Sequence, residues 1–245
     1  MTWNKEARCR PALIHVPNSG VAPIVGLAAA AAFAVPVYVF LVRPWHLRWG
    51  ASKAEVAKFL PGDDLVPKPK LSATHAITIQ APISKVWPWL VQLGQGRGGF
   101  YSYDWLENLF GCDIHNADGL LPEYQNLEAG DGIRIHPRMP AIPVVAVEPG
   151  RVIVLYSDTR AGPFGAESSV GAMKLKPGDY IATTWVFILE RVDAHTTRLI
   201  ERFRLDSNPK LVFMLANLCL LEPASFIMER KMLLGIKQRV ERGRS

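Results

Sequence analysis

The feature that most constrains this chain is an unbroken apolar run near its start. From Val21 to Val42 (VAPIVGLAAAAAFAVPVYVFLV) the only ionisable group is the phenol of Tyr38. Wound as a helix, this run would reach about 33 Å, enough to cross a hydrocarbon core of about 30 Å. Arg43, Trp45, Arg48 and Trp49 follow it, the residue types that anchor a helix at a membrane interface. A cleaved signal peptide is one alternative. Its apolar core is shorter, about 7–15 residues, and ends at small residues, whereas this run ends in Tyr-Val-Phe-Leu-Val. A helix buried in a soluble core is the other. The pattern predicts an uncleaved, single-pass anchor in the cell membrane over residues 21–42, behind an N-terminal tail 1–20.

The charge brackets that run. Net charge is +6, but residues 1–59 carry seven basic side chains against two acidic ones, which leaves 21 and 20 in residues 60–245. The body of the protein is balanced, so nucleic acid is not expected as a partner. Both flanks of the apolar run are basic, so the positive-inside rule barely discriminates an orientation. Cys9, Cys112 and Cys219 are odd in number and far apart, which argues against a disulfide scaffold or a cysteine-based zinc site. Unpaired thiols favour a cytoplasmic globular part.

Residues 43–72 read as a juxtamembrane helix and linker. Ser52 with Glu55 three residues on is a capping-box pattern, and Pro61-Gly62 ends the helix. Beyond Ser72 the chain reads strand, short helices, many strands, helix. His75–Gln80 alternates; Val86, Trp87, Leu90, Val91 and Leu93 recur at helical spacing, with Ser84 as cap; Asp104–Phe110 is a second short helix. Strands are expected over 131–136, 143–147, 151–156, 173–175, 180–191 and 196–205, separated by Pro-Gly and Asp-Ala-His turns. Residues 209–242 are helical in pattern, with a kink at Pro223.

This order, together with the wording of residues 74–94 (THAITIQAPISKVWPWLVQLG) and the paired late strands 184–189 and 197–201, resembles the START-like (SRPBCC) superfamily. That group includes birch-pollen-allergen relatives, polyketide cyclases and lipid-transfer domains. The resemblance covers roughly residues 73–242 and implies an α+β helix-grip fold. In such a fold a curved antiparallel sheet wraps a long C-terminal helix around an apolar cavity; here one transmembrane helix precedes it. The fold is nearly silent on chemistry.

Gly94-Gln-Gly96-Arg-Gly98-Gly99 matches G-x-G-x-x-G literally, but it follows a helical pattern rather than a strand, so a loop is expected and no cofactor. Around those glycines Arg97, Tyr101, Tyr103 and Trp105 offer aromatic faces and one guanidinium to a ligand. The alternative packs Phe100 and Trp105 into the core and leaves the tyrosines at the rim. On the last strand Thr197, Leu199, Glu201, Phe203 and Leu205 share one face, opposite Arg198, Arg202 and Arg204. Glu201 is thus a carboxylate on an apolar row, either a desolvated acid or base or an ion-pair partner of Arg134 or Arg204. On the preceding strand Trp185 and Phe187 occupy the apolar face. The candidate ligand-binding set is therefore Arg97, Tyr101, Tyr103, Trp105, Arg134, Trp185, Phe187, Glu201 and Phe203, with Glu201, His136 or Tyr103 as acid–base candidates. No metal is expected, because His115 and His136 lack a third ligand at metal spacing.

Three functions fit: membrane-anchored binding or transfer of a lipid or other hydrophobic small molecule; a cyclase- or hydrolase-type enzyme using the same cavity; or an accessory membrane protein with no ligand. The first is the expectation. The oligomeric state stays open.

Overall fold

A computed structural model of the chain describes residues 36–160, 169–170, 173–174, 178–208 and 221–242. The chain divides into two compact units, 1–43 and 44–245. In the first, a π-helical turn spans Tyr38–Val42. The expected membrane anchor, 21–42, lies outside the described residues except for its last seven, 36–42. Among the described residues no helix is long and apolar enough to cross a membrane.

The second unit is built on a sheet of β1 (Leu71–Ile79), β2 (Gly132–Ile133), β3 (Ile142–Glu148), β4 (Val152–Asp158), β7 (Ile181–Arg191) and β8 (Thr197–Ser207). The strands are all antiparallel, in the order β1-β8-β7-β4-β3-β2. A separate two-stranded antiparallel sheet pairs β5 (Ser169–Val170) with β6 (Met173–Lys174). The helices are α1 (Arg43–His46), α2 (Lys53–Ala57), α3 (Ile83–Val91), α4 (Asp104–Leu109) and α5 (Glu222–Arg242). An antiparallel sheet with a long C-terminal helix against it is the helix-grip arrangement. The strand expected over 131–136 is only two residues long, because the chain leaves β3 after Ile133. Pro82, not Ser84, precedes α3, and Pro88 sits inside that helix. Pro223 lies in the first turn of α5; residues 209–220 of the expected C-terminal helix fall outside the described residues.

The main core lies between the sheet's inner face and the helices. Ile79, Leu90, Phe100, Tyr101, Ile153, Leu155, Phe187 and Leu199 pack there with Met232, Leu233, Ile236 and Val240 of α5. Those four recur at helical spacing, so α5 presents one apolar stripe. Gly235 lies on it because a Cβ there would sit 2.2 Å from the Tyr101 carbonyl oxygen. The helix therefore meets the 99–103 loop backbone to backbone.

The outer face is covered by residues 47–66. Ser52 and Glu55 form the capping box, with Glu55 N–H donating to Ser52 Oγ at 3.1 Å and Ser52 N–H to Glu55 Oε2 at 2.6 Å. Leu47 and Trp49 carbonyls accept from Thr74 and Ala76 N–H at 2.8 and 3.1 Å, which satisfies the free edge of β1. The contact is close: Gly50 adopts φ +72°, and a Cβ there would meet the Ala76 oxygen at 2.1 Å. Leu60 fills a smaller core with Val152, Val154, Val186, Ile188 and Ile200. The stretch that reads as linker in the sequence is thus bonded to the sheet over much of its length.

Arg202 holds this layer. Buried, it donates to Asp63 Oδ2 (2.6 Å), Thr74 Oγ1 (3.0 Å) and the carbonyls of Glu55, Val56 and Lys58. Asp63 also pairs with Arg204 at 2.8 Å. Removing one partner of a buried pair strands the other charge, at a cost of about 3–5 kcal/mol. Arg202→Ala is expected to lose that much in chemical denaturation and to open residues 50–66 to proteolysis. Arg198→Ala, at a more exposed pair with Glu55, is expected to lose about 1 kcal/mol or less.

Candidate functional site

Strand register creates the site. Antiparallel pairing sets His75 of β1 directly across from Glu201 of β8 on the inner face. His75 Nδ1 lies 2.9 Å from Glu201 Oε2, and its Nε2 lies 2.8 Å from the His46 carbonyl oxygen. Trp185 of β7, one step along and opposite Phe203, donates its indole N–H to Glu201 Oε1 at 2.6 Å. From above, α5 lowers Glu229, whose Oε2 stands 3.2 Å from the same His75 Nδ1. His75 and Glu201 are essentially inaccessible, while the Glu229 side chain is 17% exposed and marks the way out.

Helical spacing aligns the rest of α5 with this cluster. Glu222, Phe226 and Glu229 fall on one face, three and four residues apart. Glu222 Oε1 lies 3.4 Å from His46 Nε2. The Phe226 ring sits 5.2 Å from His46, 5.6 Å from His75 and 5.4 Å from Trp45, between ring centroids. A continuous buried polar path thus runs Glu222–His46–His75–Glu201–Trp185, roofed by Phe226.

Burial by itself would drive His75 toward neutrality, but hydrogen bonding to Glu201 and Glu229 overrides it and pushes the imidazole up to about 10 from 6.5. Glu229 is raised by burial and by the Glu201 charge, against the pull of His75. The cluster therefore stores a proton at neutral pH: an imidazolium between two carboxylates, one of which resists ionisation.

The structure gathers four of the residues proposed from sequence, Trp185, Phe187, Glu201 and Phe203, on the inner face. Trp185 packs on Phe187 and Phe100, at 4.9 and 5.9 Å. Glu201 is paired, but with His75 and Trp185. Arg204 is on the opposite face with Asp63, and Arg134 is exposed. The others lie elsewhere. Tyr101 is a core residue, not a rim one, its hydroxyl donating to the Trp89 carbonyl at 3.1 Å and its backbone at φ +56°. Trp105 is 66% exposed rather than packed in the core. Tyr103 precedes α4, with the Lys231 ammonium 5.4 Å from its ring centre. Arg97 donates to the Val91 carbonyl and stacks over Tyr124. His136 accepts from Arg138 N–H in the loop after β2. Asp113 and His115 pair at the surface, 3.2 Å apart. The glycine motif closes on itself through reciprocal Gly94–Gly99 backbone hydrogen bonds, with Gly94, Gly96 and Gly99 at positive φ, and it opens no helix. A surface hollow of about 630 Å³ among Pro82, Ile83, Trp87, Pro149, Gly150 and Arg191 contains none of the proposed residues.

Sequence reasoning missed His75, Glu229, His46 and Glu222. Two signals were available. His75 shares the face of Ile77 and Ile79, and Glu229 precedes Met232, Leu233 and Ile236 at helical spacing. It also missed Glu107 on α4, 4% exposed, whose Oε2 has no hydrogen-bond partner among the described residues.

No protein-family model matches this sequence, and no curated protein matches it. Solved structures similar to it include a hypothetical protein of Helicobacter pylori (12% identity, 77% of this chain and 98% of that one, TM-score 0.42). Norcoclaurine synthase of Thalictrum flavum is another (15%, 71% and 96%, TM-score 0.36). A polyketide-cyclase-like protein of Corynebacterium glutamicum is a third (14%, 69% and 86%, TM-score 0.28). With these TM-scores below 0.5, none of the three decides a function.

Burial and the nearby Asp104 charge raise the Glu107 carboxyl to about 7 from 4.5. Because the folded state holds this proton more tightly than the unfolded one, its contribution is fullest below pH 4.5 and is lost as pH rises through 7. The contribution of this group to the unfolding free energy is expected to fall by about 2–3 kcal/mol across that window. Glu107→Gln is expected to remove most of that fall, as read by urea titrations at pH 4.5 and 8.

Proposed function

We propose that this chain binds a lipid or other apolar small molecule on the inner face of its sheet, next to the buried His75–Glu201–Glu229 cluster. One observation carries the reading. Along β7 and β8 the inner row passes from fully buried Phe187, Leu189 and Leu199 to half-buried Thr183, Trp185, Phe203 and Leu205. An apolar wall that is only partly covered, with a polar floor at its buried end, suits a ligand with an apolar body and one polar group. Anchoring in a membrane through residues 21–42 belongs to the same reading. It is supported by that run and by the Trp105, Leu109 and Phe110 side chains, which α4 and its C-cap leave 66%, 73% and 70% exposed.

A second reading, proton-transfer chemistry of the cyclase type, draws on the cluster itself. Strongly perturbed ionisable groups cluster at functional sites. Glu229, the member that reaches solvent, would exchange the proton, and Glu201 would hold His75 in place.

Native mass spectrometry of the detergent-extracted full-length protein tests the first reading. A stoichiometric apolar passenger, weakened at least tenfold by Trp185→Ala, is expected. An empty protein that stays empty after exposure to a lipid and isoprenoid mixture would overturn it. Conversion of the passenger, abolished by Glu229→Gln while binding persists, would favour the second.

A further inference from the structure

We infer that His75, Glu201 and Glu229 form a binding site for a divalent transition-metal ion of the zinc, manganese or iron(II) class. The ion would lie on the polar floor of the groove, so this inference deepens the ligand-binding reading and rests on it for its role, though not for its geometry.

Three features point to an ion rather than to a plain salt bridge. First, two carboxylate oxygens converge on one imidazole nitrogen, at 2.9 and 3.2 Å. A single Nδ1–H makes one well-directed hydrogen bond, so the second acceptor is surplus. Metal–ligand bonds of about 2.1 Å set adjacent ligand atoms roughly 3.0–3.4 Å apart in octahedral or tetrahedral geometry. The two nitrogen–oxygen spacings fall in or next to that range, and all three ligand atoms lie within 4.8 Å of one another.

Second, the ligands are already oriented from behind. His75 Nε2 faces the His46 carbonyl, so once an ion displaces the Nδ1 proton the imidazole keeps its other proton there and turns the Nδ1 lone pair toward the carboxylates. Trp185 holds Glu201 Oε1 and leaves Oε2 as the donor. Third, an ion that displaces the stored proton meets two carboxylates and a neutral imidazole, a charge of −2 that a divalent ion cancels. One imidazole with two carboxylates suits borderline and harder ions rather than copper(I) or an iron–sulfur cluster. Three protein ligands leave at least one position open, on the side where Glu229 reaches solvent, for water or for the polar group of a ligand.

Full-length protein stripped with EDTA is titrated with ZnCl2 and MnCl2 by calorimetry, and with CoCl2 by visible absorption. One ion per chain is expected. Glu229→Gln is expected to weaken binding at least tenfold, and Trp185→Phe about tenfold or more through the freed Glu201 carboxylate. His115→Ala, at the exposed Asp113–His115 pair, is expected to change nothing. Circular dichroism melts check that each variant is folded. Absence of stoichiometric binding for both zinc and manganese, or an affinity that folded Glu229→Gln leaves unmoved, would overturn the site. Uptake of the apolar ligand, measured separately in EDTA, separates failure of the metal site from failure of the binding reading.

Discussion

The contact on which the second unit depends is the one between the His75 imidazole and the carboxylates of Glu201 and Glu229. It joins the edge strand, its neighbour and the long C-terminal helix at a single nitrogen. Through the other ring nitrogen it also holds the His46 carbonyl, and so the turn that leads into the outer layer. Buried charge is expensive, and a pair of this kind adds little net stability compared with apolar residues of the same shape. What it adds is register. A one-residue slip of β1 against β8 would turn His75 to the outer face and leave the Glu201 carboxylate in the core without its imidazole.

Strand β8 divides the two layers between neighbouring residues. Glu201 points inward to His75 and Trp185; Arg202 points outward to Asp63, Thr74 and three carbonyls of the 55–58 stretch. Successive side chains of a strand face opposite sides of the sheet, so the acid and the base can be one residue apart and never meet. The inner layer is fastened through a carboxylate and the outer through a guanidinium. The same alternation leaves the inner row apolar on either side of Glu201, at Leu199 and Phe203. That is why a polar floor and an apolar wall share one strand.

Much of this was legible in the sequence. Face alternation on β7 and β8 marked Trp185, Phe187, Glu201 and Phe203 as one surface, and Ser52 with Glu55 announced a capping box that is present in full. The partners of Glu201 were not legible, because strand register and helix docking are tertiary. Nothing local in THAITIQ says that His75 meets residue 201, and Glu229 reads as one more charge in a basic helix. The loop after α3 misled for a different reason. Glycines at 94, 96, 98 and 99 let the chain fold back sharply, which sends Tyr101 into the core at positive φ and leaves Trp105 outside, the reverse of what aromatic size suggests. Covering of the sheet by residues 47–66 was hidden by its composition, since Pro, Gly, Lys and Asp read as connector until Arg202 supplies their partner.

The most direct test is the protonation state of one ring. In full-length protein freed of metal by EDTA and labelled with ¹⁵N-histidine, long-range ¹H–¹⁵N correlation spectra report both ring nitrogens of His75. The account predicts a protonated imidazolium at about pH 8 that releases its proton only as the pH approaches about 10. A His75 ring already neutral at pH 8, titrating near the ordinary 6.5, would contradict it.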